Sequence, residues 1–313
     1  MVLYWSHYIF IGVNVISFPL YSLIIIICIK EYKHNPSQRA FYLLFISQGL
    51  MDTLVMASYF IFGILRLSEL LNSLFWTYRD YYVAAWSFNQ TYVSAIFRCF
   101  GVLVISFQKY ISLCKSENQR LQLINTSYRW VSVILQWTVP MVYSIPLLLF
   151  SDPTFKGSEN MEVLVEHKHI TIATSMTAVF VTTTFLLCSF CYVNILKYLI
   201  NNRFALCQAL KRERRLYAQM MGLFVGFVLL FVFYVLMFSF SLRTDNSPIF
   251  TMRIIFPLIN CFFSYINPWM MLILNVDMRR KVLSTVGQVA ARKVSLIMAT
   301  PVKAMSAVVP TRF

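Results

Sequence analysis

The stretch FRCFGVLVISFQKYISLCK, residues 97–115, places one arginine, Arg98, inside an apolar run that ends in polar and basic residues. Across all 313 residues, 59% are hydrophobic and 12% are charged, and the mean hydropathy is +0.67. Water-soluble globular domains are less apolar than this. The sequence therefore predicts a membrane protein in which Arg98 is a charge inside the bilayer.

Working outward from this stretch, seven apolar runs are long enough to cross a membrane. A hydrocarbon core about 30 Å thick needs roughly 20 apolar residues of helix. The runs are continuous rather than alternating, which favours helices over a porin-like barrel. They cover residues 8–29, 41–65, 88–108, 130–150, 170–196, 216–242 and 249–274. We predict an all-α bundle of seven transmembrane helices at residues 1–285 and a poorly ordered basic tail at residues 286–313.

The basic residues are distributed unevenly between the two sides of the predicted spans. Twenty of the 27 Lys and Arg residues lie on one side, five lie on the other, and Arg98 and Arg253 lie within spans. The positive-inside rule places the N-terminus outside and the C-terminus in the cytosol. Topology and attraction to anionic membrane lipid explain this charge, and a docking face for an acidic or lipid-anchored partner is compatible with that explanation. The basic residues are confined to loops that flank the spans, so we expect no nucleic-acid partner. Mixed apolar and basic residues at 276–286 predict a short amphipathic helix after the seventh span.

Two opposite charges are predicted at the same depth in the membrane. Asp52 follows the start of its span at Phe41 by eleven residues, and Arg98 precedes Lys109 by eleven. At 1.5 Å per residue, both lie about 16 Å deep. An isolated charge there costs at least ~2.5 kcal/mol, so such groups normally pair. We predict an ion pair between Asp52 and Arg98, which either only holds two helices together or also acts as a switch.

Two polar stripes run along the third and seventh spans. On the third span, three polar residues precede Arg98 on the same helical face, namely Gln90, Thr91 and Ser94. On the seventh span, three polar residues recur at intervals of seven, namely Arg253, Asn260 and Asn267. We expect the stripes to face each other across a cavity. Interhelical hydrogen bonding is one explanation of these residues, and ligand contact by the outer members is the other: Gln90, Thr91, Ser94, Arg253 and Asn260.

Arg253 lies near the outer end of its span and allows two interpretations. Its long side chain could snorkel to the membrane interface, which we favour, or it could bind an anionic odorant.

Several of these motifs resemble those of rhodopsin-like G-protein-coupled receptors. The third span ends in ISFQKYISL, similar to that family's Ile-Ser-x-Asp-Arg-Tyr signature, with Gln108, Lys109 and Tyr110 at the last three positions. The seventh span contains INPWMM, in which Asn267 and Pro268 match the Asn-Pro-x-x-Tyr motif and a methionine replaces the tyrosine. The chain departs from the family in having no Cys-Trp-x-Pro in the sixth span and no cysteine in an outer loop.

In detail, the pattern most closely resembles the nematode serpentine chemoreceptors of class V in the Srg superfamily, over nearly the whole chain to about residue 285. The resemblance implies that Asp52 occupies the family's sodium-site aspartate position and that Arg98 lines the same pocket. It also implies a plasma-membrane receptor of sensory neurons that binds an external small chemical and activates a cytosolic heterotrimeric G protein. The residues implied at the inner face are Gln108, Lys109, Tyr110, Asn267 and Pro268.

The segment LKRERRL, residues 210–216, leads into the sixth span and contains Arg214 and Arg215. Such a charged amphipathic extension suits either anchoring at the membrane interface or binding of the G protein.

No motif in the sequence points to catalysis. The chain lacks a phosphate-binding loop, a nucleophile elbow and a His-Glu-x-x-His motif, so we expect neither an enzyme nor a cofactor or metal site. The competing class is a ligand-gated ion channel or a transporter. A transporter predicts an internal repeat that we do not find, and an insect-type odorant channel predicts an internal N-terminus, against the charge distribution.

Overall fold

The arrangement of the chain comes from a computed structural model, which describes residues 3–34, 38–114, 128–149, 153–158, 161–201, 208–243, 247–285 and 287. For residues 208–220 it describes the backbone alone. The side chains of Arg214 and Arg215 therefore lie outside the described residues. The same holds for the predicted tail, residues 286–313, except for Gly287.

Seven helices in the described part of the chain are long and apolar enough to cross a membrane, which confirms the predicted all-α seven-helix bundle. A short helix, α3, and two short strands lie between them. In chain order the elements are α1 (Trp5–His34), α2 (Arg39–Tyr59) with a π-helical turn (Phe60–Leu65), α3 (Asn72–Thr77), α4 (Val83–Cys114), α5 (Arg129–Leu149), β1 (Thr154–Phe155), β2 (Val163–Leu164), α6 (His167–Asn201), α7 (Gln208–Ser241) and α8 (Ser247–Leu274).

Helix α4, which contains Arg98, lies in the middle of the bundle. It packs against α2, α5 and α6, and the ring continues through α7 and α8 to α1. Of the spanning helices, α2 and α4 are the most buried, whereas α1 and α5 are among the least buried. Lipid solvates an apolar surface but not a charge, so the helices that carry Asp52 and Arg98 occupy the interior.

The predicted short helix after the seventh span is present as α9, residues 276–285. The side chain of Asn275 begins it by accepting a hydrogen bond of 3.2 Å from the backbone N–H of Met278. Met278 and Val282 are buried against the bundle. Lys281 forms an ion pair with Glu31 near the end of α1. Helix α9 therefore docks on the bundle beside the C-terminal end of α1.

Following the charge distribution, we call the end of the bundle where α1 begins the outer end. Two elements there were not predicted from the sequence. One is α3, between the second and third spanning helices. The other is a hairpin in which β1 pairs antiparallel with β2. Strands of two residues have too little alternation to be recognised in a sequence.

Candidate functional site

Arg98 and Asp52 meet in the interior of the bundle. The Nε atom of Arg98 lies 2.9 Å from Oδ1 of Asp52, and neither side chain is more than 4% exposed. The hydroxyl of Tyr21 donates to Oδ2 of Asp52 at 3.0 Å. Arg98 also donates through Nη1 to Oδ1 of Asn260 and through Nη2 to its backbone carbonyl. A buried ion pair needs such additional hydrogen bonds to offset the loss of hydration, and here they join α1, α2, α4 and α8.

The polar cluster extends from this pair to α5. Gln48 on α2 lies with Nε2 3.5 Å from Oδ1 of Asp52, and its Oε1 accepts a hydrogen bond of 3.0 Å from Gln136 on α5. Gly101 lets α4 approach this bond. A Cβ atom at that position would lie only 1.9 Å from Oε1 of Gln48.

Two cavities lie between the ion pair and the outer end. The deep cavity has a volume of about 230 Å³ and reaches Asn260. The outer cavity has a volume of about 190 Å³. Both are bordered by the same four residues, Tyr59, Gln90, Thr91 and Phe256. Aromatic side chains, including Trp86, Phe97 and Trp137, contribute to the wall of the deep cavity.

All five residues predicted as ligand contacts line one of these cavities. Gln90 and Thr91 border both, Ser94 and Asn260 line the deep cavity, and Arg253 lines the outer cavity. Several of them are also hydrogen-bonded within the protein. Ser94 donates to the carbonyl of Thr91 at 3.0 Å, and Gln90 accepts at 2.9 Å from Ser58. The two interpretations of the polar stripes thus apply to the same residues.

Arg253 does not snorkel along the lipid, which was the interpretation that the sequence favoured. Its guanidinium turns toward α4, where Nη2 donates to the hydroxyl of Tyr92 at 3.3 Å. The carbon Cζ lies 5.1 Å from the centre of the Phe88 ring, within the range of a cation–π interaction. The charge of Arg253 therefore faces the interior of the bundle at the outer cavity.

Sequence reasoning missed Arg66 as a residue of this site, because it counted Arg66 among the loop charges. The π-helical turn after α2 brings Arg66 to the wall of the outer cavity. Its Nε donates to the carbonyl of Phe62 at 2.9 Å, and Nη1 donates to that of Met161. Burial lowers the pKa of Arg66 to about 10, and repulsion from Arg253 contributes. Arg66 therefore stays charged at neutral pH. Its position directly after the second apolar run is shared by residues that face water, so the sequence carried no signal that separates the two cases.

A comparison with known protein families matches residues 10–288 to the serpentine type 7TM GPCR chemoreceptor Srv. The chain belongs to the Srv family. This confirms the predicted relationship to the class V serpentine chemoreceptors, so the protein is a multi-pass membrane receptor of the chemoreceptor type. Srv is a family of receptors rather than of enzymes. No curated protein matches the chain.

In this Srv receptor, the residues at the Asp-Arg-Tyr positions point into the bundle to different extents. Gln108 and Lys109 are buried, and Nζ of Lys109 lies 4.0 Å from the centre of the Phe41 ring on α2. Tyr110 is half-buried and contacts the ring of Phe190 on α6. In this conformation of the Srv receptor, the inner ends of α2 and α4 are therefore in contact.

The motif of the Srv receptor that resembles Asn-Pro-x-x-Tyr lies in α8, the seventh span, and packs against α1. Asn267 and Pro268 are buried in α8. The adjacent Trp269 donates from Nε1 to the hydroxyl of Ser17 at 3.1 Å. Met271, at the position of the motif's tyrosine, is 1% exposed, so an apolar contact replaces the hydroxyl there.

Among the described residues, no group of three or more His, Cys, Asp or Glu side chains is placed to hold a metal ion. The six described cysteines form no disulfide with one another. Met161 lies between β1 and β2. Its hydrogen bond from Arg66 connects the end of α2 to the hairpin, where no disulfide is present among the described residues.

Proposed function

We propose that this Srv receptor binds a small external chemical in the two cavities and activates a cytosolic heterotrimeric G protein. Membership of a GPCR-type chemoreceptor family supports the receptor class. We propose the plasma membrane of sensory neurons as its location. The position of the cavities, between the outer end and the buried Arg98–Asp52 pair, supports the binding of a ligand from outside.

The observation that carries this proposal is that Asn260 belongs both to the cavity wall and to the hydrogen bonds of Arg98. Its side chain lines the deep cavity, and its Oδ1 accepts a hydrogen bond from Arg98. A ligand that takes a hydrogen bond from Asn260, or moves its side chain, changes the hydrogen bonding of Arg98. Since Arg98 and Asp52 join α4 to α2, this alters the relative position of two spanning helices. A ligand that favours one arrangement then shifts the population of the receptor toward it.

The same two helices are in contact again at the inner end, where Lys109 lies over Phe41. Eleven residues of α4 separate Lys109 from Arg98, and eleven residues of α2 separate Phe41 from Asp52. At 1.5 Å per residue, both helices transmit a shift over about 16 Å. Separation of their inner ends would expose Lys109 and Tyr110. This surface suits an acidic segment of a G protein.

Nucleotide exchange on a G protein tests this function. Membranes that contain the receptor and a heterotrimeric G protein are exposed to a panel of volatile and water-soluble chemicals, and binding of a non-hydrolysable GTP analogue is measured. We expect at least one chemical to accelerate exchange. Because Asn260 connects the deep cavity to Arg98, its truncation to alanine should raise the ligand concentration for half-maximal exchange by about 5- to 150-fold, the range typical of coupling between sites.

The matched control is Ser175→Ala. Ser175 is a half-buried polar residue of α6 that lines neither cavity and whose hydroxyl donates to the carbonyl of Ile172 in its own helix, so its removal should leave exchange unchanged. A ligand-evoked current that persists without any G protein would contradict the proposal and support the channel alternative.

A further inference from the structure

Two guanidinium groups at the outer cavity form no ion pair with an acidic side chain of the described residues. No described Asp or Glu oxygen lies within 4.0 Å of Arg66 or Arg253. The described acid in the cavity wall is Glu162, which attracts Arg66 from beyond 4.0 Å and whose carboxylate lies 3.6 Å from Nζ of Lys156. The charged side chains described in the cavity wall are thus two cations, Arg66 and Arg253, and one anion, Glu162. An excess of positive charge in a half-buried site attracts an anion.

Neutral contacts fix the orientation of both guanidiniums without cancelling their charge. Arg66 donates to two backbone carbonyls, and Arg253 donates to one tyrosine hydroxyl. A guanidinium has five N–H donors. Three donors therefore remain on Arg66 and four on Arg253. A carboxylate accepts two parallel hydrogen bonds from such a group, and these charge-assisted bonds are about twice as strong as neutral ones.

Two uncharged polar side chains, His7 and Tyr59, also line the outer cavity. The backbone N–H of Tyr4 donates to Nδ1 of His7 at 3.2 Å. The neutral ring therefore carries its proton on Nε2, which lies 3.4 Å from the hydroxyl of Tyr59. This pair can rearrange its hydrogen bonds around a polar ligand without adding charge.

The deep cavity supplies an apolar compartment next to this cationic one. The cavities share part of their walls, and the deep one is lined mainly by aromatic and aliphatic side chains. Each cavity alone is smaller than the roughly 300–1,000 Å³ of typical small-molecule sites, whereas the two together fall within that range. The site therefore fits a small molecule with one anionic end and one apolar end.

We propose that the ligand of this receptor is a small organic acid, whose carboxylate binds between Arg66 and Arg253 and whose apolar part occupies the deep cavity. This inference rests on the proposed receptor function, because it names the chemical class of the ligand. The apolar part then contacts the cavity wall that contains Asn260. Binding of the acid is in this way connected to the Arg98–Asp52 pair.

Binding of straight-chain monocarboxylates to the purified receptor in lipid nanodiscs tests this inference. The probes are butanoate, hexanoate and octanoate, each compared with the primary alcohol of the same length, and the readouts are the dissociation constant and the rise in unfolding temperature. We expect at least one acid to bind and to raise the unfolding temperature, and its alcohol to bind at least tenfold more weakly. Arg253→Gln and Arg66→Gln should each weaken binding of the acid about tenfold or more.

Arg79→Gln is the matched control for loss of a positive charge at the outer end. The side chain of Arg79 is 44% exposed, its Nε lies 3.6 Å from Asp80, and it is not part of either cavity wall. It should leave binding of the acid unchanged. Arg253→Lys keeps the charge but loses the fork of donors, so it should bind more tightly than Arg253→Gln and more weakly than the wild type.

Equal binding of acids and alcohols, or an equal loss of binding in Arg79→Gln and Arg253→Gln, would overturn the inference. Arg66→Gln also removes a bond to Met161, so its unfolding temperature is measured without ligand, and if it does not fold the Arg253 variants decide the result. The binding assay contains no G protein. If acids bind but no chemical drives nucleotide exchange, the anion site stands and the receptor function fails. If only uncharged chemicals bind and drive exchange, the receptor function stands and the anion site fails.

Discussion

Arg98 shows how one side chain can satisfy a charge in the middle of a membrane protein. Its Nε atom bonds the carboxylate of Asp52, while Nη1 and Nη2 bond Asn260. The planar fork of an arginine reaches both partners at once, whereas a lysine offers a single ammonium. The pair is therefore specified by geometry as well as by charge, and each member depends on the other for compensation of a buried charge.

Neutralising one member of the pair should destabilise the receptor strongly. In Arg98→Gln, the carboxylate of Asp52 stays buried without its cation, and in Asp52→Asn the guanidinium loses its anion. We expect each single variant to lose about 3–5 kcal/mol of stability. The double variant Asp52→Asn/Arg98→Gln should recover much of that loss. The measurements are the unfolding temperature in detergent and the fraction of receptor at the cell surface.

The exposed pair of Arg79 and Asp80 provides the comparison, because its partners are 44% and 80% exposed. Arg79→Gln should change stability by less than about 1 kcal/mol. Single variants of the buried pair that behave like Arg79→Gln would show that the pair adds little to the fold.

The buried pair could be predicted from the sequence because the depth of a residue in the membrane follows from its position along a spanning helix. Equal distances from the inner ends of two spans put Asp52 and Arg98 at one level. The contribution of Tyr21 could not be predicted, because α1 also carries Tyr8 and Tyr32, and which tyrosine faces the interior follows only from packing. Arg66 was missed because a residue at the end of an apolar run has the same sequence signature whether it faces water or a cavity.

At the scale of elements, the contact between α4 and its neighbours depends on one small residue. Gly101 lies where the side-chain bond between Gln48 of α2 and Gln136 of α5 crosses the backbone of α4. Small residues allow helices in membranes to approach closely. The absence of a side chain at Gly101 is therefore part of the interface of three helices.

The variant Gly101→Ala should lower the unfolding temperature, although alanine favours helices. The new Cβ atom would lie 1.9 Å from Oε1 of Gln48 and 2.9 Å from Nε2 of Gln136, so the bond between them must break or the helices must separate. Overpacking of this kind typically costs about 1–3 kcal/mol. We expect a loss of several degrees in a thermal melt of the purified receptor.

Gly12→Ala in α1 is the matched control. Nothing lies within 4 Å of a Cβ atom built at Gly12, so the helix propensity of alanine should leave stability unchanged or raise it by up to about 1 kcal/mol. A thermal melt in which both variants shift equally would contradict the close approach at Gly101.

The spanning helices could be predicted from the sequence, whereas the hairpin at the outer end could not. Each span is decided by a local apolar run of at least twenty residues, but β1 and β2 have two residues each and pair across a loop. The bond from Arg66 to Met161 that holds this loop near α2 joins residues 95 positions apart. Such a contact depends on the packed bundle and has no local pattern.

At the scale of the whole molecule, polar groups are arranged in order along the bundle axis. The outer cavity with its two arginines comes first, followed by the deep cavity, the Arg98–Asp52 pair, and the contact of Lys109 with Phe41. The last two features both join α2 to α4. A receptor requires such a connection between the side where a ligand enters and the side where a G protein binds, so the orientation of the bundle decides whether this order is functional.

We predict that the N-terminus lies outside the cell and the C-terminus in the cytosol. Twenty basic residues flank one side of the spans and five flank the other, which sets the orientation by the positive-inside rule. The ion pair of Lys281 with Glu31 places α9 at the same end of the bundle as the C-terminal end of α1. An antibody against an N-terminal epitope tag should therefore label intact cells, and an antibody against a C-terminal tag should label them only after permeabilisation. Labelling of both tags after permeabilisation controls for expression. If the N-terminal tag is protected in intact cells, the two cavities open toward the cytosol, and a site for an external chemical at Arg66 and Arg253 is ruled out.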